Sequence, residues 1–171
     1  MTKTPAATPA AAPDLAAATA MWSDYSQSRR HQDAVDSDYT VEHFGDTAKL
    51  ADELLQIVLS GTKRATAELV SEFTHRGAPL PRIGSHWIAC DGAGVPRIVI
   101  RSTQLRIDTF DGADAAFARA EGEDDRTLSS WQIQHRLYWE RTSAARGADW
   151  SELDEIVFEY FAVVWPPEHA D

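Results

Sequence analysis

The ten residues 156–165 form the most restrictive segment of the sequence. They read IVFEYFAVVW and are followed by two prolines. β-Branched and aromatic side chains fit a pleated sheet, whereas proline cannot donate to a strand ladder. The run therefore predicts a central β-strand that ends at residue 165, and the fold must supply a sheet around it.

Further strands and helices alternate irregularly before this run. Strand patterns cover residues 64–71, 85–91 and 95–108, and the turn at 91–94 predicts that the last two form a hairpin. Helix patterns cover 47–60 and 113–120, and a third helix is expected to begin at Ser129. This order favours an α+β fold built as a small mixed β-barrel flanked by helices over a doubly wound parallel sheet.

The helix at 47–60 has the clearest start and stop signals. Asp46 or Thr47 can cap its beginning, its leucines share one face, and Gly61 follows its end. Because the next strand pattern starts at 64, this helix delivers the chain to a short helix-to-strand turn.

The N-terminal part has a different composition. Residues 1–13 are almost entirely Ala, Thr and Pro, which predicts a disordered tail. Asp14 can cap a helix to about residue 28, and the polar stretch that follows to residue 45 predicts a loop. We therefore expect a tail at 1–13, a helix and loop at 14–45, and one folded domain at 46–171.

Charge and cysteine content restrict the function classes. The chain has 27 acidic and 16 basic residues, a formal net charge of -11, which disfavours unspecific binding to a phosphate backbone. Cys90, the single cysteine, lies in an apolar run and is expected to be a buried inert thiol. No signal peptide or membrane-spanning run is recognised, so we expect a cytoplasmic protein with no membrane partner.

The turn GTKRAT at 61–66 is the first candidate for chemistry. The positive charge of Arg64 and partial burial would both disfavour protonation of Lys63, which suits a general base or nucleophile. The alternative is a solvated Lys-Arg pair at a helix C-terminus, where the helix dipole favours cations. Thr66 offers a hydroxyl, although a β-branched residue at a strand start needs no function.

The acidic segment AEGEDDRTL at 120–128 is the second candidate. Such a cluster can hold a carboxylate for proton transfer or accept hydrogen bonds from the exocyclic amine of a base. The alternative is a solvated loop before a helix N-terminus. The six histidines lack metal-ligand spacing, so we assign no metal and no cofactor.

Taken together, these segments resemble the ASCH domain family, whose fold is a small PUA-like β-barrel with flanking helices. The resemblance runs through FGD at 44–46, LADEL at 50–54, GTKRATA at 61–67, LPRIG at 80–84, AEGE at 120–123, SSW at 129–131 and the terminal strand. It covers about residues 22–165, and the G-x-K-x-x-T element is its hallmark. It implies that 46–171 form an ASCH domain.

The resemblance implies an activity and its residues. Some members of the family hydrolyse the acyl amide of acetylcytidine with a Lys, a Thr and a Glu. By the motif these are Lys63, Thr66 and Glu123, with Glu121 as the competing acidic residue. Arg64 or a backbone N–H would then stabilise the carbonyl oxygen, and the substrate would be a nucleoside.

Two other functions stay open. In a single-strand ribonuclease or RNA-binding module, basic residues would track the phosphates and Trp87 or a neighbouring aromatic would stack a base. The basic residues of that track would be Lys63, Arg64, Arg82 and Arg97. In a non-catalytic nucleoside or RNA sensor, Glu123 would read a base edge. The sequence leaves the oligomeric state open.

Two positions depart from the family pattern. Ser85 stands where an acidic residue is expected, and Arg101 stands where relatives tend to carry Glu. Substrate preference would differ if either residue lined the pocket.

Overall fold

The computed structural model describes residues 7–29 and 38–171. These contain five α-helices and five strands, besides a short 3-10 turn at Phe110–Gly112. The helices are α1 (Leu15–Ser28), α2 (Ala48–Leu59), α3 (Val70–Arg76), α4 (Ala115–Glu121) and α5 (Leu128–Ala145). The strands are β1 (Tyr39–His43), β2 (Ala65–Leu69), β3 (His86–Cys90), β4 (Pro96–Asp108) and β5 (Ile156–Trp165).

The five strands form one mixed sheet in the order β1-β3-β4-β5-β2. The edge strand β1 runs parallel to β3, whereas the other edge strand, β2, runs antiparallel to β5. In that register Thr66 lies directly opposite Glu159. The terminal apolar run is thus an interior strand with a neighbour on each side, as predicted, although β4 occupies the middle of the sheet.

The strongest local signals are confirmed. The N-cap Asp14 accepts a hydrogen bond from the backbone of Ala17 at 2.9 Å at the start of α1. At the start of α2, the hydroxyl oxygen of Thr47 likewise accepts a hydrogen bond from the backbone N–H of Leu50 at 3.2 Å. A turn joins β3 to β4 as the predicted hairpin, because Asp91 and Val95 share a backbone hydrogen bond. These signals are short-range, so the sequence displays them directly.

Three predictions of local structure were wrong. Residues 30–37 of the segment expected to be a loop to residue 45 lie outside the described residues, and its described part contains β1. The polar residues of this edge strand are tolerated because it pairs on one side only. The strand expected to reach residue 71 ends at Leu69, and α3 begins at the next residue, Val70. The long helix begins at Leu128, because the Thr127 side chain, and not Ser129, caps it by accepting from Ser130 at 3.1 Å.

Cα packing divides the chain into two compact units, of which the second carries the candidate site described below. Unit 1 comprises residues 1–56, 86–100 and 163–171, and unit 2 comprises 57–85 and 101–162. In the described part of unit 1, α1 buries Ala18 and Tyr25 against Ile88 and Val99. The core of unit 2 consists of Ala65, Leu69, Phe110, Ala113, Phe117, Ala118, Trp131, Trp139, Ile156 and Phe158.

Part of the predicted tail is tied to unit 1. The backbone N–H of Ala11 donates to Gly92 at 3.0 Å, and the carbonyl of Thr8 accepts from Ala48 at 3.0 Å. Residues 7–13 are therefore held by backbone hydrogen bonds, whereas composition alone predicts disorder. Residues 1–6 of the predicted tail lie outside the described residues.

Cys90 is fully buried, as predicted. Burial, with a smaller contribution from Asp91 and Asp14, raises the pKa of its thiol to about 11. Because the thiolate is the reactive form, this cysteine is chemically inert at neutral pH.

No helix within residues 7–29 and 38–171 is long and apolar enough to cross a membrane.

The aromatic core of unit 2 should carry much of its stability. Phe158 is fully buried, its ring meets Phe117 edge-to-face at 4.9 Å, and the Arg106 guanidinium lies 4.1 Å from its centroid. We expect Phe158→Ala to lower the free energy of unfolding by about 3–5 kcal/mol, measured by urea denaturation. The control Ile133→Ala, at a side chain 51% exposed on α5, should change it by less than about 0.5 kcal/mol. Equal losses in the two variants would contradict this assignment of the core.

Candidate functional site

The turn between α2 and β2 carries Lys63 into the protein. Gly61 has φ +84°, the left-handed conformation that glycine adopts without strain. The backbone N–H groups of Thr62 and Lys63 then both donate to the carbonyl of Ile57, at 3.0 and 2.9 Å. This local closure fixes the backbone of Lys63, whose side chain is 0% exposed. The alternative of a solvated lysine is therefore excluded.

The acidic loop after α4 packs directly on this turn. Gly122 has φ +72°, and a Cβ added there would lie 2.7 Å from the carbonyl oxygen of Thr62 and 3.1 Å from the Cα of Lys63. The backbone N–H of Arg64 also donates to Ala120 at 2.8 Å. Only glycine allows this approach, and it brings the residues on both sides of Gly122 to the lysine.

Both acidic residues flanking Gly122 contact Lys63. The ammonium Nζ lies 2.5 Å from Oε1 of Glu123, 3.5 Å from Oε1 of Glu121 and 3.5 Å from the Glu121 carbonyl. The Glu121 side chain is 2% exposed, whereas that of Glu123 is 27% exposed. The structure thus brings three predicted residues together and separates the two carboxylates into a buried one and a solvent-facing one.

Glu121 is surrounded by donors. Its Oε1 accepts the backbone N–H of Ala67 at 3.0 Å and lies 3.4 Å from Nε2 of His135, while its Oε2 accepts the indole N–H of Trp131. Burial by itself would raise the pKa of Glu121. The charges of Lys63 and His135 and the hydrogen bonds outweigh burial and hold that pKa at about 2, so the carboxylate is ionised.

The contacts of His135 select its protonated form. Its Nδ1 lies 3.0 Å from the backbone carbonyl of Trp131, and its Nε2 faces Glu121. A neutral imidazole has one N–H and can satisfy only one of these two acceptors, whereas the imidazolium satisfies both. Burial opposes the charge, but the attraction and hydrogen bond of Glu121 prevail and raise the pKa of His135. The ring also stacks on Trp131, with centroids 4.1 Å apart.

Lys63, Glu121, Glu123 and His135, hereafter the Lys63 cluster, carry two positive and two negative charges that compensate one another. A shallow recess of water-like size lies beside the cluster, and its lining residues are Ala118, Glu123, Asp124, Ser130, Trp131, Gln134 and His135. Glu123 and His135 thus belong both to the cluster and to the wall of the recess. A ligand entering there would meet Glu123 first, because it is the most exposed member of the cluster.

Thr66 lies on β2, half-buried, on the side of the sheet shared with its partner Glu159. Glu159 is buried and accepts the hydroxyl proton of Ser102 at 2.6 Å. The Ser85 hydroxyl lies 3.4 Å from that of Ser102. The predicted hydroxyl residue therefore neighbours a second carboxylate that the sequence analysis did not identify.

The other predicted binding residues are Arg64, Arg82 and Trp87. Arg64 donates to the carbonyls of Val58 and Lys63, both at 2.8 Å, and so caps the end of α2. Arg82 is exposed. Trp87 belongs to unit 1, where its ring meets Phe44 at 4.8 Å.

Trp131 and His135 were missed as site residues. Their signal is their i, i+4 spacing on one face of a helix that follows the acidic loop, which the sequence analysis did not use. In the part of the chain that the structure describes, no group of His, Cys, Asp and Glu is arranged to hold a metal ion.

The Lys63 cluster should make stability depend on pH. The ordinary pKa of Glu121 is 4.5 and its folded value is about 2, so its contribution is present above pH 4.5 and lost as pH falls towards 2. His135 contributes below its ordinary pKa of 6.5, and this contribution is lost as pH rises through its raised folded pKa. The two contributions are both complete between those ordinary pKa values.

We expect the wild type to lose about 3 kcal/mol more unfolding free energy than Glu121→Gln between pH 5 and pH 2, because each pKa unit corresponds to about 1.4 kcal/mol. Urea titrations at fixed pH values measure this difference. Glu53→Gln, at a side chain 55% exposed on α2, should follow the wild-type pH dependence. If Glu121→Gln loses as much unfolding free energy between pH 5 and pH 2 as the wild type does, the low pKa of Glu121 would be contradicted.

Comparison with known proteins agrees with this fold. The profile of the ASCH domain family matches residues 40–165. An ASCH domain structure from Lactobacillus crispatus JV V101 is similar with a TM-score of 0.79 at 24% identity, covering 88% of this chain and 96% of that chain. A DUF984 protein structure from Enterococcus faecalis V583 gives 0.75 at 25% identity, covering 87% and 88%. No curated protein matches significantly. The predicted α+β, PUA-like fold is confirmed.

Proposed function

Because this chain belongs to the ASCH domain family, we propose that it hydrolyses the exocyclic amide of an N4-acylated cytosine nucleoside such as N4-acetylcytidine. One observation carries the proposal: the buried ammonium of Lys63 lies 2.5 Å from Glu123, which is partly open to solvent. A fixed cation beside an accessible carboxylate provides charge stabilisation and proton transfer at one place.

The pairing assigns Lys63 as an activator and not as a free base. Two carboxylates face its Nζ, so the ammonium is the form that the surroundings stabilise. In the proposed reaction this ammonium stabilises the oxyanion that forms when the acyl carbon is attacked. Glu123 is the proton carrier, because it accepts hydrogen from Lys63 and also reaches the recess.

The attacking oxygen is that of Thr66 or of a water molecule bound to it. As it adds to the acyl carbon, Glu123 takes its proton and passes it to N4, so that the C–N bond breaks and cytidine leaves. If Thr66 is the nucleophile, water then hydrolyses the acyl-threonine ester, releasing the acid and restoring the hydroxyl. Atoms and charges balance without a cofactor.

Charge and contacts favour a nucleoside over an RNA strand. The net charge of -11 repels a polyanion, whereas a neutral nucleoside experiences no such long-range repulsion. Of the basic residues considered for a phosphate track, Lys63 and Arg64 have the partners described above, and Arg97 lies 3.1 Å from Asp91. The local contacts therefore support the amidohydrolase over the ribonuclease.

The test is incubation of the protein with N4-acetylcytidine and, separately, with single-stranded RNA, with products followed by chromatography. We expect the wild type to release cytidine and acetate, and both Lys63→Met and Glu123→Gln to lower kcat at least about 100-fold. Glu123→Gln is the safer variant, because its side chain is partly exposed and nearly isosteric.

Lys49→Met is the matched control, since this lysine is 82% exposed on α2 and pairs with Glu53. It should keep wild-type turnover. RNA fragments released by the wild type and lost in Lys63→Met would instead establish a nuclease. Binding of cytidine without turnover of either substrate would overturn hydrolysis and leave a ligand-binding module.

A further inference from the structure

The unequal distances from Lys63 to its two carboxylates need an explanation. Glu121 is the more deeply buried carboxylate, yet Nζ lies 3.5 Å from it and 2.5 Å from Glu123. Burial strengthens an ion pair because water screens it less. On charge alone, the lysine would therefore approach Glu121 more closely.

The donors around Glu121 supply the explanation. Trp131 occupies Oε2, and the Ala67 backbone and His135 occupy Oε1, the same oxygen that faces Lys63. The carboxylate is thus held in place, and a second cation already offsets its charge. The shortest contact of Lys63 is with Glu123. The lysine ammonium is therefore directed at the solvent-facing side of the cluster.

We propose that His135, stacked on Trp131, is a positioning residue of the site. Its imidazolium holds and neutralises Glu121, so that Lys63 gives its strong hydrogen bond to Glu123, the carboxylate that reaches the recess. The link to catalysis rests on the proposed function, whereas the effect on the ion pair does not.

In the described part of the chain, three charged groups and two aromatic rings surround the imidazole of His135. The charged groups that act on it are Glu121 of α4, Glu123 of the following loop and Lys63 of the α2–β2 turn. From its own helix, Trp131 stacks on one face and Trp139 meets the ring edge-to-face at 5.0 Å. Loss of the ring proton therefore leaves Lys63 as the single cation near two carboxylates, and the lysine should move towards the more buried one.

The experiment compares the wild type, His135→Gln and His75→Gln by NMR at one fixed pH, observing the side-chain nitrogen of Lys63 and the side-chain carboxyl carbon of Glu123. His75 is exposed at the end of α3 and serves as the control. In His135→Gln we expect both resonances to move away from their wild-type positions, because Lys63 is drawn towards Glu121 and its hydrogen bond to Glu123 weakens. Wild-type behaviour is expected for His75→Gln.

This readout needs no turnover, so it distinguishes the inference from the proposed function. Unchanged Lys63 and Glu123 resonances in folded His135→Gln would overturn the inference even if the wild type hydrolyses N4-acetylcytidine. If His135→Gln fails to fold, the wild type replaces it, because its Lys63 and Glu123 resonances should change together with the His135 ring resonances as rising pH removes the ring proton. Lys63 and Glu123 resonances that do not follow the His135 ring would overturn the inference equally.

Kinetics supply a second readout where the wild type turns over. We expect His135→Gln to lower kcat about tenfold with KM changed less than threefold, because Lys63 is drawn away from Glu123 while Glu123 itself remains in place. The wild-type kcat should fall as pH rises through the raised pKa of His135, and His135→Gln should lack this alkaline fall. An equal fall for His75→Gln, or a profile of unchanged shape, would contradict a positioning role.

Discussion

A fully buried lysine ammonium is the constraint on which the rest of the site depends. A charge without water is costly unless opposite charges and hydrogen bonds compensate it. Lys63 obtains this compensation from two carboxylates that are only two residues apart in sequence. They reach it because Gly122 allows the loop to touch the Thr62–Lys63 backbone. The burial of the Lys63 cation therefore depends on both glycine-containing turns.

The same compensation explains why the cluster extends further than the family motif. Glu121, once buried, needs donors of its own, and α5 provides them through Trp131 and His135. The helix that follows the acidic loop is thus an electrostatic partner of the α2–β2 turn as well as a source of core aromatics. Packing and charge are satisfied by the same indole, because its ring lies in the core and its N–H meets the carboxylate.

The sequence predicted the parts that depend on short-range signals. The α2 helix, the β3–β4 hairpin and β5 have caps, turn residues or apolar runs that can be identified directly, and the G-x-K-x-x-T element located Lys63. Strand β1 was missed because an edge strand needs little apolar character. The choice between Glu121 and Glu123 could not be made from sequence, since burial and donor arrangement, which separate them, are long-range properties. The spacing of His135 from Trp131 is a local signal, but the charge of His135 depends on its contact with Glu121 of another helix, which the sequence does not show.

The proposed function requires that a bound cytosine nucleoside contacts the Lys63–Glu123 pair. The most direct measurement is an NMR titration of the wild-type protein with cytidine, the reaction product, observing the Lys63 side-chain nitrogen and the Glu123 carboxyl carbon. We expect both resonances to shift together and saturate with one affinity, while those of Lys49 and Glu53 do not shift. Saturable binding of cytidine that leaves Lys63 and Glu123 unchanged, or no binding at all, would contradict it.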